Sequence, residues 1–178
     1  IVPLDYVPAR LASPGGPPFV ALTFDDGYRD NLEHALPVLN RHDAPWTLFV
    51  TSDFASGEGR LWWLELEEVV RGRDRLVIEG GGGSLRTLPA GTPAEKMEAF
   101  AAAYTLLRSG PEDALRSRIA RWCEEDGIDP GALVRSLCLP WDELSGLLAQ
   151  SRVSIGAHTL SHPMLAKHEE GRVWLAIE

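Results

Sequence analysis

The chain has 178 residues, of which 44% are hydrophobic, and a formal net charge of -9 at pH 7. This length suffices for one domain with a sizeable core, or for part of a larger domain. The acidic balance provides no basic surface for nucleic acid or anionic lipid, and no apolar run approaches the roughly 20 residues that cross a bilayer. We therefore expect a soluble protein, cytoplasmic or exported with its signal peptide removed, that binds neither nucleic acid nor membrane. Cys123 and Cys138 lack disulfide or zinc spacing and are predicted to be buried free thiols.

The N-terminal third alternates between predicted strands and a helix. After a loop over residues 1–17, the apolar run "FVALTF" predicts a strand that is buried on both faces. The leucine spacing in "NLEHALPVLNRHD" predicts a helix that is capped by Asp30 or Asn31 and is kinked or delayed by Pro37. "PWTLFVTSDF" predicts a second strand, and a strand, a helix and a strand in this order form a βαβ unit with parallel strands.

The segment 55–138 has a different, mostly helical pattern. Apolar spacing predicts a helix near residues 62–70, and "RLVIEGGGGSLRTLP" predicts two short strands around a four-glycine turn. Thr92 and Glu95 form a predicted capping box at the start of a further helix, and the helix after that one ends near Gly127. These elements indicate a helical insertion into an α/β framework.

The last 40 residues return to the first pattern. Trp141, Leu144 and Leu148 recur at helical spacing, "VSIGAH" predicts a short strand, and "EEGRVWLAIE" predicts the start of another helix. The chain as a whole is therefore predicted to be an α/β protein with a parallel sheet.

Two adjacent carboxylates follow the first predicted strand, in "TFDDGYRDN". Asp25 and Asp26 each cost free energy on burial unless a partner satisfies the charge, so a catalytic site and a solvated turn are both possible. Asp and Gly are common turn residues, and the motif alone is a weak signal.

Two histidines follow the last predicted strand, in "GAHTLSHPML". His158 and His162 are four residues apart, which would place them on one face of a helix, but Gly156 and Pro163 favour a loop. Either geometry can bring both rings to one metal ion. With five histidines in the chain, a chance pair is about as plausible as a site when the motif is considered alone.

Considered together, the two motifs predict a metal site. Both follow the carboxyl ends of predicted parallel strands, the edge at which α/β proteins place their chemistry. One carboxylate and two imidazoles can bind a divalent metal and leave positions open for water and substrate. The second carboxylate can then face an open position as a general base.

"TFDDG" followed by "HTLSHP" resembles the first two motifs of the NodB-like polysaccharide deacetylase family, metal-dependent enzymes that remove N- or O-acetyl groups from sugar polymers. "PWTLFV" and "PWDELSGLLAQSRVSIGAHTLSHP" resemble the family's second strand and the helix that leads into its histidine motif. The resemblance covers roughly residues 17–54 and 139–178, and we identify no family motif in residues 55–138. It implies a distorted (β/α) barrel in a single domain over residues 1–178, with an insertion at about 55–138.

The resemblance also implies a role for each site residue. Asp25 corresponds to the general base, and Asp26, His158 and His162 correspond to the metal ligands, with Thr159 beside them holding the loop by hydrogen bonds. The expected cofactor is a divalent metal, zinc in the first place, with cobalt or another divalent ion as alternatives. The expected substrate is an acetylated glycan.

The family's later motifs, which supply the oxyanion site, a tryptophan and the general-acid histidine, cannot be placed in this chain. His34, His42 and His168 are expected to be surface or packing residues. The resemblance therefore implies a domain that is incomplete at its C-terminus and inactive as an isolated chain. Because an unfinished barrel exposes an unpaired strand edge, we also expect self-association through that edge, or aggregation.

Three alternative functions stay open at this point. A metal-dependent hydrolase of a small amide or imide would use the same site. An inactive carbohydrate-binding relative would bind glycans without releasing acetate. A non-haem iron oxygenase also uses two histidines and one carboxylate, but it has no use for the second aspartate.

Overall fold

The computed structural model describes residues 1–13, 15–79, 83–149 and 152–177. The strands are β1 (Leu22–Phe24), β2 (Trp46–Val50), β3 (Arg75–Glu79), β4 (Leu85–Pro89) and β5 (Val153–Ala157). The α-helices are α1 (Val7–Leu11), α2 (Leu36–Arg41), α3 (Ser52–Ala55), α4 (Trp62–Gly72), α5 (Pro93–Ser109), α6 (Glu112–Asp126), α7 (Pro130–Leu137), α8 (Trp141–Leu148) and α9 (Glu170–Ile177). Among the described residues, every helix is too short or too polar to cross a membrane.

The described residues form two compact units. The first comprises Ile1–Gly59, Val134–Pro163 and Glu169–Glu178, and the second comprises Arg60–Leu133 and Met164–His168. Both predicted histidine ligands and both predicted aspartates therefore lie in the first unit.

A three-stranded parallel sheet in the order β1-β2-β5 forms the centre of the first unit. Leu22 pairs with Trp46, and Trp46 pairs with Val153 on its other side. The predicted α/β class with a parallel sheet is thus confirmed. The described strands form an open sheet, so the barrel stays a prediction.

β2 is the buried centre of this sheet. Leu48 is fully buried, and the core around it contains the side chains of Trp46, Val50, Ala55, Leu139, Leu144 and Leu147. The prediction that "FVALTF" is buried on both faces is wrong. Only Leu22–Phe24 forms a strand, and Thr23 is exposed while Leu22 and Phe24 are half-buried, so one face of β1 is open.

Proline interrupts the helix that connects β1 and β2. Asn31–Ala35 forms a π-helical turn in which the Leu36 N–H donates to the Asn31 carbonyl, and α2 then begins at Leu36 with Pro37 in its first turn. Pro37 has no N–H to donate, so the first turn is the position where it costs least. The predicted delay is confirmed. Asp30, one of the two predicted cap residues, lies at the N-cap of this turn, but its side chain accepts no capping hydrogen bond.

The second unit contains the antiparallel pair β3–β4 and the helices α4, α5 and α6 around a core of its own. The predicted capping box is confirmed, because Thr92 Oγ1 accepts from the Glu95 N–H at 3.3 Å and Glu95 accepts from the Thr92 N–H at 2.9 Å. The turn predicted between β3 and β4 lies largely outside the described residues. Both cysteines are buried and free, as predicted.

The contact between β2 and β5 predicts the effect of one substitution. Gly156 pairs with Phe49, and a Cβ atom at residue 156 would lie 2.6 Å from two carbons of the Phe49 ring. We expect Gly156→Ala to lower the free energy of unfolding by about 1–3 kcal/mol, because the ring must move. Urea denaturation measures the change.

Gly146→Ala in α8 is the matched control, because an added Cβ atom there meets no atom within 4 Å. It is expected to raise the free energy of unfolding by about 0.5–1 kcal/mol, since alanine favours helix over glycine. Equal effects of the two substitutions would contradict the observed register.

Candidate metal centre

Asp26, His158 and His162, three of the predicted site residues, come together at the carboxyl edge of the parallel sheet. Asp25 and Asp26 directly follow β1, and His158 directly follows β5. Parallel strands end at the same edge, so a short loop after each strand places these side chains near one another.

The ligand atoms of Asp26, His158 and His162 all lie within 4.8 Å of one another. Asp26 Oδ1 is 3.6 Å from His158 Nε2 and 3.5 Å from His162 Nε2. Two atoms that each lie about 2.1 Å from one ion at a tetrahedral angle are about 3.4 Å apart. The two separations from Asp26 are close to this value, and they are longer than a normal hydrogen bond.

The Asp26 carboxylate supports the same conclusion. Oδ1 is buried and has no hydrogen-bond partner among the described residues, although a buried unpaired carboxylate oxygen is costly. Burial raises the pKa of Asp26, and the nearby His162 and His158 only partly offset that effect. A divalent cation would satisfy this oxygen, and the donor set of one oxygen and two nitrogens fits zinc.

The backbone turns sharply at Asp26. Its φ is 70°, and the Gly27 N–H donates to the Asp25 carbonyl at 2.9 Å, which closes a γ-turn with Asp26 at its centre. Gly27 follows with φ 77°, a conformation that favours glycine. The chain therefore changes direction directly after β1, at Asp26.

The loop over residues 158–162, which we call the histidine loop, is strained as well. Thr159 has φ 66° and His162 has φ 53°, so three of the four non-glycine residues with positive φ in the described chain belong to the predicted site. Such a conformation is an outlier for a β-branched residue and persists only where surrounding contacts hold it. Thr159 Oγ1 accepts from the His162 N–H at 3.1 Å, which is one of these contacts.

The end of β2 and the first turn of α3 supply further contacts to this loop. The His158 N–H donates to the Val50 carbonyl at 2.8 Å, and Thr51 Oγ1 donates to the His158 carbonyl at 3.0 Å. The N–H groups of Ser52 and Asp53 donate to the carbonyls of Thr159 and Leu160. The first N–H groups of a helix have no partner within the helix, so α3 is suited to hold a loop in this way.

Phe54 also contacts the site, since its ring stacks on the ring of His162 with centroids 6.1 Å apart. The sequence analysis missed both Phe54 and Thr51, because it extended the second strand over "TSDF". The strand ends at Val50, and residues 52–55 are helical. The Thr-Ser-Asp run is a pattern typical of a helix start and could have indicated the change.

The remaining predicted residues are placed as follows. Asp25 is exposed and lies outside the group of three ligand atoms, so its role as a base stays a prediction. His34 and His42 are exposed, whereas His168 is largely buried and hydrogen-bonded to Glu112 in the second unit. These three histidines do not belong to the ligand group.

Comparison with known proteins gives one result. Residues 12–79 match a family described as polysaccharide deacetylase. The match includes Asp25 and Asp26, extends past residue 54 as far as β3, and covers less than half of the chain. No curated protein and no solved structure gave a significant match. The predicted resemblance is therefore confirmed for residues 12–79, which match the polysaccharide deacetylase family.

Proposed function

We propose that the chain carries the metal-binding part of a hydrolase that removes N- or O-linked acetyl groups from a carbohydrate polymer or oligosaccharide. The observation that carries this proposal is the buried, unpartnered oxygen of Asp26 beside the ring nitrogens of His158 and His162. The family match supports an acetylated carbohydrate as the substrate class.

Asp26, His158 and His162 would hold a divalent ion, with zinc as the first choice for these donors. When bound, such an ion supplies Lewis acidity, which polarises a carbonyl group and makes water a stronger acid. The side chains of His158 and His162 are 33% and 35% exposed, so the group opens to solvent and to a substrate.

Asp25 would act as the general base. Asp25 is exposed, whereas the neighbouring Asp26 is partly buried, and the γ-turn lies directly after Asp25. An ionised carboxylate beside the ligand group can accept the proton of the attacking water. Thr159 would keep the His162 backbone in place through the hydrogen bond that its hydroxyl accepts.

The net charge of -9 favours a neutral or cationic glycan over a polyanionic one, because like charges repel at the approach of the substrate. An acetylated sugar fits this preference, because an uncharged amide or ester replaces its amine or hydroxyl group.

The first test measures acetate release. The protein, completed by any segment that its gene encodes beyond residue 178, should release acetate from N-acetylated or O-acetylated oligosaccharides, lose the activity on chelation, and regain it with added Zn²⁺. Glycan binding that survives chelation without acetate release would indicate a binding protein instead. Hydrolysis of small amides or imides, but of no glycan, would indicate the other hydrolase class.

The second test separates the two aspartates. Asp25→Asn in the same protein should keep bound metal and lower kcat by about 100-fold or more, because an amide has the shape of the carboxylate but cannot accept the proton. Asp26→Asn and His162→Ala should lose metal. Metal content and acetate release are measured on the same samples, and equal loss of metal from both Asn variants would contradict the assigned roles.

The third test concerns the strained histidine loop. Thr159→Val retains the branched shape but removes the oxygen that accepts from the His162 N–H, and should weaken zinc binding by about 10- to 100-fold. Thr159→Ser retains the hydroxyl, and its zinc affinity should stay within about threefold of that of the unmodified chain. Zinc titration with a competing chelator measures both, and unchanged affinity in the Val variant would show that the hydrogen bond is dispensable.

A further inference from the structure

Trp141 differs from most tryptophans of this chain in its exposure. Trp46, Trp62 and Trp122 are each at least 96% buried, whereas Trp141 at the start of α8 is 49% exposed and Trp174 in α9 is 54% exposed. Leu144 and Leu147 supply the buried contacts of that helix. About half of the surface of Trp141 is therefore open to solvent, and a ligand can pack on it.

The exposed ring is held in position. Its Nε1–H donates to Ser56 Oγ at 3.1 Å, and the Trp141 carbonyl accepts from Ser145 Oγ at 2.8 Å. The polar end of the indole is thus satisfied within the protein while the residue stays half exposed. A ring that is already fixed loses little conformational entropy when a ligand packs on it.

Hydrogen bonds connect Trp141 to both parts of the candidate metal centre. The Leu139 N–H donates to the Gly27 carbonyl at 2.9 Å, one residue after Asp26. The shortest path through this bond limits the distance between the Cα atoms of Asp26 and Trp141 to about 18 Å. On the other side, Ser56 lies two residues after Phe54, which stacks on His162.

An ion pair connects α8 to the chain that follows the aspartate motif. Arg29 forms a two-pronged contact with Glu143, with N–O distances of 2.8 and 3.0 Å. The backbone N–H of Arg29 also donates to the Leu137 carbonyl at 2.7 Å. The start of α8 is therefore attached to the chain that follows the aspartate motif, within the same compact unit.

We propose that Trp141 forms a sugar-binding subsite, on which one pyranose ring of the glycan packs while another residue of that glycan lies at the metal centre. The apolar C–H face of a pyranose matches a flat, exposed indole, and such packing needs no charge from the ligand. This inference rests on the proposed function and makes it more specific. The substrate is an oligosaccharide or polymer that occupies at least two subsites.

The test compares Trp141→Ala with the unmodified 178-residue chain in calorimetric titrations with tetra-N-acetylchitotetraose and with acetylated xylotetraose. Loss of one aromatic packing contact should weaken binding of at least one tetraose by about 5- to 10-fold. Trp141→Phe keeps an aromatic face and should restore most of the affinity. Ser56→Ala leaves the ring but frees it, and should weaken binding by a smaller factor, about 2- to 3-fold on the same scale.

Tyr6→Ala is the matched control, since Tyr6 is 60% exposed and lies in the N-terminal turn, and its removal should leave binding unchanged. Equal binding by the unmodified chain and Trp141→Ala, or no binding of either tetraose by the unmodified chain, would overturn the subsite. Circular dichroism identifies a variant that fails to fold, and in that case the Phe and Ser56 variants decide.

A second measurement distinguishes this inference from the proposed function. In a protein that releases acetate, Trp141→Ala should raise KM for the tetraose by about 5- to 10-fold with kcat unchanged, and should not affect cleavage of an acetylated monosaccharide. Binding that depends on Trp141 in a protein that releases no acetate would leave the subsite in place and overturn the hydrolase. Equal acetate release by the unmodified protein and by Trp141→Ala, for glycans of every length, would support the hydrolase and overturn the subsite.

Discussion

The contact on which the rest of the account depends is the one between a buried carboxylate oxygen of Asp26 and the ring nitrogens of His158 and His162. Their separations of 3.5 and 3.6 Å are too long for strong hydrogen bonds and suit three ligands around one ion. Without a cation, the oxygen would be desolvated and unpartnered, and burial already raises the pKa of its carboxyl group. The fold therefore maintains an arrangement that a bound cation would stabilise.

The strand in the middle of the sheet makes this arrangement possible. β2 is buried, and the chain that continues from its end provides Thr51, the first N–H groups of α3 and the ring of Phe54, all of which contact the histidine loop. These contacts offset the unfavourable φ angles at Thr159 and His162. The histidine loop, which carries two candidate ligands, is thus held by the end of β2 and by α3, which carry no candidate ligand.

The sequence predicted those features that depend on local chemistry or on general rules of α/β folds. The parallel β1–β2 pair, the delayed start of α2 at Pro37, the capping box at Thr92 and the juxtaposition of the two motifs all follow from such rules. The exposure of β1 did not, because the position of a strand in the sheet depends on long-range pairing. The roles of Thr51 and Phe54 were missed because the second predicted strand was extended over them, and because their partners lie more than 100 residues away in the chain.

Crystallography of the zinc-soaked protein, with anomalous scattering recorded at the zinc absorption edge, tests the central claim most directly. The account predicts one zinc peak about 2.0–2.2 Å from an oxygen of Asp26 and from ring nitrogens of His158 and His162, with Asp25 outside the coordination sphere. A zinc ion bound elsewhere, or a site at which these three side chains stay free at saturating zinc, would contradict it.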